Sequence, residues 1–186
     1  MKQLFIDVET TGLDPKIHGL TQIAGMVIVD GEEKERFNFD VSPFQGQKAS
    51  LEALQITGKT INEIREYPSP GKIYAALTGI LGRYVDKFDK RDKLQFIAYN
   101  SPFDNQFMRE FFKNNNDQFF GSFFWNPDIC VMRLAFCFMA DKRPGMKNFK
   151  LTTVAAELGI EFDESNAHDA MFDIDLTRQI YAKILG

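Results

Sequence analysis

Asp7 and Glu9 stand two residues apart in the stretch FIDVETTGLDP (5–15), which opens as an apolar strand and ends as a turn. Side chains at i and i+2 of a strand share a face, so two carboxylates sit side by side where a core strand would carry apolar groups. They repel each other, and half-burying them costs free energy unless something positive lies between them. A divalent cation meets that need, because hard oxygen ligands suit magnesium and manganese. The plain alternative is an exposed strand face with local salt bridges or caps. Thr10-Thr11-Gly12 then supplies a tight turn, where backbone can approach a ligand closely.

Two other places carry acids with the same ambiguity. Asp104, in IAYNSPFDNQF (97–107), falls in the first turn of a helix that begins where a strand ends. Ligands of open α/β sheets collect at the carboxyl ends of strands, although the helix dipole favours a first-turn acid in any case. NAHDAMFDID (166–175) packs three aspartates and one of the chain's two histidines into a short run. On an ideal helix Asp169 and Asp173 share a face, with His168 about 140° from Asp173. Spacing alone therefore favours Asp169 with Asp173, and a solvated acidic first turn explains the run equally well.

These acids need a frame. At 186 residues the chain suits one domain, taking roughly 100–200 residues per domain. It is 44% hydrophobic and 26% charged, a composition that folds rather than stays disordered. No apolar run approaches the ~18–20 residues of a membrane span, and MKQLFIDVE lacks a signal-peptide layout. A soluble cytoplasmic protein with no membrane partner is the expectation. The net charge of −4 argues against a surface coated in positive charge. It does not exclude a nucleic-acid enzyme, since a carboxylate site attracts phosphate once its cations are bound.

Strands are expected at 3–9, 22–30 and 34–41, with a hairpin turn at DGEE (30–33). Short helices broken at Gly58 cover 50–66, and an amphipathic helix covers 72–88. A fourth strand spans 93–100. The helix at 101–115 takes Ser101 as N-cap and Pro102 as its first residue. A buried helix fills 127–140, another spans 149–160 and stops at Gly159, and a last helix runs from about 166 to 185. Its apolar stripe passes through Ala170, Ile174, Thr177, Tyr181 and Ile184. The order predicts an α/β domain with a mixed sheet. Cys130 and Cys137 would lie two turns apart on one helix face, too far for a disulfide and without a zinc pattern, so both read as core.

FIDVETTGLDP, AYNSPFDNQF and HDAMFD, in that order, resemble the three exonuclease motifs of the DEDDh family. These are ribonuclease H-like 3′→5′ exonucleases that include the proofreading (epsilon-like) subunits of bacterial polymerases and ribonuclease T. The first motif matches as Asp-x-Glu-Thr-Thr-Gly-Leu, the second as Asn-x-x-Phe-Asp, and the third as His, four residues, Asp. Tyr99-Asn100 stands where many members have His-Asn. NFKLTTVAAELGI (148–160) is similar to the family's helix before the third motif, and ITGKT (56–60) to its Gly-Ile-Thr region in altered order. The resemblance spans nearly the whole chain.

It implies a ribonuclease H-like fold with a mixed sheet of about five strands flanked by helices. Asp7, Glu9, Asp104 and Asp173 would ligate two Mg2+ (or Mn2+) ions, and His168 would be the general base. That assignment leaves Asp169 as a helix-start acid and Asp128 and Asp175 as structural. Two cations ~3.5–4 Å apart can activate water and relieve charge on the leaving oxygen. A histidine of pKa ~6.5 can take a proton near neutral pH. The implied substrate is a single-stranded 3′ end of DNA or RNA, released as nucleoside 5′-monophosphates. Backbone at Thr10 and Thr11 would hold the 3′-hydroxyl, Leu13 would pack near the last base, and Asn100 would belong to the same site. Phe103 would stack on the terminal bases or fill the core.

Other features weigh less. FFGSFFW (119–125) could stack single strands, but aromatic runs beside a buried helix more often fill the core. KRPGMKNFK (142–150) is the best basic segment for a substrate backbone, with a solvated loop as the plain reading. His18 reads as a surface residue. The chain ends shortly past Asp173, which favours a free-standing enzyme, with a polymerase or a second copy as partners the resemblance allows. The rivals are a non-catalytic nucleic-acid- or polymerase-binding module on this fold, and a relative that cuts internally.

Overall fold

The computed structural model describes residues 1–163 and 169–186. Three strands open the chain: β1 (Lys2–Thr10), β2 (Leu20–Val29) and β3 (Glu32–Asp40). They pair antiparallel. The expected hairpin turn is present, with Asp30 at φ 52° and Gly31 at φ 86°; two left-handed residues give the turn whose twist matches the strands it joins. α1 (Leu51–Thr57) ends where Gly58 takes φ 66°, and α2 (Ile61–Arg65) starts with a Thr60–Glu63 capping box. Then come α3 (Pro70–Tyr84), β4 (Gln95–Ala98), α4 (Ser101–Asn114), α5 (Phe120–Phe123), β5 (Ile129–Cys130), α6 (Val131–Phe138), α7 (Leu151–Glu157) and α8 (Ala170–Leu185). The five strands form one mixed sheet in the order β3-β2-β1-β4-β5, with β4 parallel to β1 and β5 parallel to β4.

β1 sits at the centre of the sheet, and its two-residue period divides the molecule. Leu4, Ile6 and Val8 join a cluster with Leu77 and Leu81 of α3 and Phe107, Phe111 and Phe112 of α4. Phe5 joins the opposite cluster, with Val131 and Ala135 of α6, Val154 and Ala155 of α7, and Ile174 and Ile180 of α8. Each such side chain contributes about 1.5–3 kcal/mol on burial. Asp7 and Glu9 share the face of Phe5, so they look toward the layer that α8 occupies. Gly25 on β2 opposes Phe37 so closely that an added Cβ would lie 2.2 Å from its ring.

Several expectations need correction. α3 begins at Pro70 and stops at Tyr84, because Val85 turns extended to bury itself (4% exposed); Phe88 lies outside the helix, fully in solvent. Asn100, not Ser101, occupies the cap position of α4, and Pro102 is the second helical residue. The stretch 127–140 is not one helix, since Ile129 and Cys130 extend the sheet by pairing with Ile97 and Ala98. Nor is α6 a buried helix: it buries Val131 and Ala135 but exposes Phe136 and Phe138. Cys130 is buried in the strand, while Cys137 is exposed, so only the first is core.

The 119–125 run does fill the core, with Phe120, Phe123 and Phe124 buried, though Phe119 and Trp125 face out. α7 closes through Gly159 at φ 68°, with Ile160 N–H on Ala155 C=O and Gly159 N–H on Ala156 C=O; this double bond pattern satisfies the last carbonyls. The stripe of α8 faces inward at Ala170, Ile174 and Thr177. Among the described residues, no helix is long and apolar enough to cross a membrane.

Candidate active site

The acids meet at the carboxyl end of β1. β1 is registered against β4 only as far as Phe5 opposite Ile97, and β4 stops at Ala98. Past that point the Val8 N–H donates to Asp104 Oδ1 at 3.2 Å. The bond draws the first turn of α4 against β1, and Asp104 is only 5% exposed. Asp7 and Glu9 are half-buried beside it. Asp173 arrives from α8, whose N-cap is Asp169: its Oδ1 accepts from Met171 and Phe172 N–H, both at 3.0 Å. The Asp173 N–H closes the turn on Asp169 C=O at 2.9 Å.

The electrostatics show how the four acids relate. The Asp7 carboxyl is held well above the usual carboxylate range, first by burial, then by the charges of Asp104, Glu9 and Asp173. Asp104 is pushed up to about 8, again first by burial. Its bonds from its own N–H and from Val8 pull the other way, while Glu9 and Asp128 add to the rise. Asp7, Glu9, Asp104 and Asp173 thus feel one another through space. Among the described residues, no three histidines, cysteines or acids are drawn up into a finished metal cage. The donor set nevertheless fits a divalent cation: it is all hard oxygen, partly buried, and its mutual repulsion falls when positive charge enters.

The other expected site residues lie around this centre in different roles. A pocket of about 180 Å³ beside Glu9 is lined by Thr10, Gly12 and Leu13, by Ala53 and Ile56 of α1, and by Phe103. Leu13 stands on the rim, 83% exposed. Phe103 is half-buried and packs on Phe107 with ring centroids 4.9 Å apart, so it belongs to core and pocket together. Thr10 Oγ1 donates to Gly12 C=O at 2.7 Å. Thr11 Oγ1 donates to Lys48 C=O at 2.6 Å and accepts from Gly19 N–H at 2.8 Å, so both hydroxyls build the turn. Asn100 is exposed at the cap of α4, and its C=O accepts from Phe103 N–H at 2.9 Å. A groove of about 830 Å³ along α3 borders Lys2 at the far end of β1 from the acids and lacks their chemistry.

His168 lies outside the described residues. His18 is half-buried rather than a free surface residue, and a Cβ added at Gly12 would lie 2.3 Å from its ring. The packing of His18 therefore shapes the turn. Asp175 is structural: Arg36 grips both its oxygens at 2.7 and 2.8 Å. Asp128, expected to be structural, adds charge to Asp104; it sits outside the three motifs, where nothing in the sequence signals that role. The 142–150 segment reaches the site's edge through Tyr99, whose OH donates to Phe149 C=O at 2.8 Å.

A family model for exonucleases of the ribonuclease T type matches residues 4–181. The chain is 27% identical to the PolC-type DNA polymerase III of Bacillus cereus over 180 residues, covering 96% of this chain and 11% of that protein. It is 26% identical to ribonuclease T of Photorhabdus laumondii, covering 97% of this chain and 82% of that one. In structure it resembles exonuclease I, with a TM-score of 0.77, 25% identity, and coverage of 99% of this chain and 40% of that one. The chain thus spans about a tenth of the polymerase relatives and under half of exonuclease I.

Proposed function

This chain belongs to the exonuclease family, and from that footing we propose that it is a metal-dependent 3′→5′ exonuclease acting on a single-stranded 3′ end of DNA or RNA. One observation carries the reading: the Asp7 carboxyl is raised by burial and then by Asp104, Glu9 and Asp173 together. A fold that crowds four carboxyl groups together disfavours their charged forms, and a bound cation reverses that preference. Asp7, Glu9, Asp104 and Asp173 would hold two divalent cations, magnesium or manganese. Bound there, such ions supply Lewis acidity toward the phosphoryl oxygens and acidify water.

The chain's own groups do the rest. His168, five residues before Asp173 in the third motif, takes the proton from the attacking water, and an imidazole of pKa ~6.5 suits that step near neutral pH. The pocket beside Glu9 receives the terminal nucleoside, with Leu13 and Phe103 against the base and the Thr10–Gly12 backbone against the 3′-hydroxyl. Val8 N–H fixes Asp104, and Asp169 fixes the turn that carries Asp173. The products are nucleoside 5′-monophosphates, and the whole chain acts as one exonuclease domain.

The test uses 5′-labelled single-stranded DNA and RNA of one sequence, with magnesium, wild type and Asp7→Ala. A ladder shrinking from the 3′ end, absent in the variant, is the expected result, and the faster ladder names the substrate. No ladder on either strand with magnesium or manganese would overturn the reading in favour of a binding module. Internal fragments would favour an endonuclease.

A further inference from the structure

We propose that the outer face of α6, together with the loop that follows it, is a track for single-stranded nucleic acid leading into the carboxylate site. The inference rests on the exonuclease reading and extends it to the surface along which the strand reaches the site.

The segment 142–150 holds Lys142, Arg143, Lys147 and Lys150 and no acid, in a chain of net charge −4. Several arginines elsewhere are ion-paired: Arg36 meets Glu33 and Asp175, Arg83 meets Glu35, and Arg178 meets Glu33. Among the described residues, none of these four cations forms a salt bridge. Beside them α6 turns two phenylalanines outward, Phe136 at 51% and Phe138 at 55% exposed. Phe136 meets Phe149 edge-on, with centroids 6.0 Å apart and rings inclined at 71°. The Arg143 guanidinium lies 5.5 Å from the Phe149 centroid.

The surface is held firmly to the site. Met139 and Met146 anchor its two ends in the core, at 1% and 7% exposed. Tyr99, one residue before Asn100 on the site's rim, bonds Phe149 C=O. Unpaired cations alone would suit any polyanion. Exposed rings beside them select for more: they offer faces to unstacked bases, which a duplex keeps in its own stack. The chemistry therefore fits a single strand, with phosphates on the lysines and Arg143 and a base on the exposed Phe136.

The experiment is fluorescence anisotropy with a 5′-fluorescein dT 20-mer and a blunt duplex of equal length, in EDTA, across a salt series. The proteins are wild type, Phe136→Ala, the double variant Arg143→Ala/Lys147→Ala, and Lys72→Ala, an exposed control on the other side of the sheet. Thermal melts confirm that each is folded. Wild type should favour the single strand. The double variant should flatten the slope of log K against log salt by about 1.4, at about 0.7 per phosphate contact. Phe136→Ala should weaken single-strand binding about tenfold or more and duplex binding little, and Lys72→Ala should match wild type.

Variants that bind like wild type, equal loss on both strands in Phe136→Ala, or a wild type that binds neither strand would each overturn the track. Hydrolysis of the 20-mer with magnesium, run in parallel, separates the two readings. Binding through these residues without hydrolysis by wild type sustains the track and removes the exonuclease. Hydrolysis with unaffected binding in the variants does the reverse.

Discussion

Replacing Asp104 by Asn should make the metal-free protein more stable, and more so as pH rises. The Asp104 carboxyl is pushed up to about 8 from 3.8. An acid whose folded pKa lies above its unfolded one binds its proton more tightly when folded. Its stabilising contribution is therefore full below about pH 4 and is lost as pH climbs through about 8. At pH 7 the folded chain keeps a proton that the unfolded chain would shed, over roughly three units at about 1.4 kcal/mol each, which sets a ceiling near 4 kcal/mol. Relaxation around the charge should reduce this to about 2 kcal/mol, or about 4–8 °C in Tm for a chain of this size. Asn keeps an Oδ1 to accept the Val8 N–H and carries no charge. The assay is thermal melting of both proteins in EDTA from pH 4 to pH 9. The gap should be near zero at pH 4, grow to about pH 8 and then level off, and magnesium should raise the wild type more than the variant. A gap independent of pH, or an Asn variant less stable throughout, would refute the argument that burial and repulsion set this carboxyl.

Gly12→Ala puts a Cβ 2.3 Å from the His18 ring; oligonucleotide hydrolysis should fall about 10²-fold, and adding His18→Ala should restore much of it in initial-rate assays. Asp169→Ala removes the acceptor for two α8 N–H groups and should cost about 1 kcal/mol in urea unfolding, together with a lower rate because Asp173 rides on that turn. Asp173→Asn should cost ~10³-fold in rate if it ligates a catalytic cation, while Asp175→Asn, whose partner is Arg36, should leave the rate within about twofold and stability within about 1 kcal/mol.

What the sequence made legible was what local chemistry dictates. Asp30-Gly31 can adopt the left-handed pair a tight hairpin needs, and the break at Gly58 follows from its left-handed cap. Asp7 and Glu9 violate the rule that strand interiors stay apolar, which marked them, whereas Asp104 and Asp173 fit ordinary first helical turns and stand out only through the resemblance to the exonuclease motifs. β5 was invisible because two residues, Ile129 and Cys130, carry no period; the open edge of β4 selects them. Val131-Met132-Arg133-Leu134-Ala135-Phe136-Cys137-Phe138 reads as a buried helix by composition, yet only Val131 and Ala135 are buried, Phe136 points away from their face, and Phe138 at the helix end is exposed. Asp128 acts on Asp104 from outside every motif, and only the folded geometry brings its charge to bear.

The placement of the carboxylates is enforced by the core rather than by the carboxylates. Left to their own repulsion, Asp7 and Glu9 would separate from Asp104 and Asp173. They cannot, because β1 is buried on both faces: Leu4, Ile6 and Val8 on one side, Phe5 on the other. Sliding β1 by one residue against β2 would turn Asp7 and Glu9 into the α3–α4 cluster and bring the aliphatic set out to face α8. That exchange would bury two charges among Leu77, Phe107 and Phe112 and crowd Leu4, Ile6 and Val8 into the layer packed around Phe5, a misfit that itself costs about 1–3 kcal/mol. The penalty for slipping exceeds the few kcal/mol of repulsion at Asp7 and Asp104, so the register holds and the acids stay clustered. A cluster of acids that disfavour one another is thus kept assembled by the core, and a cation binding there, as proposed, would relieve that repulsion without having to fold the site.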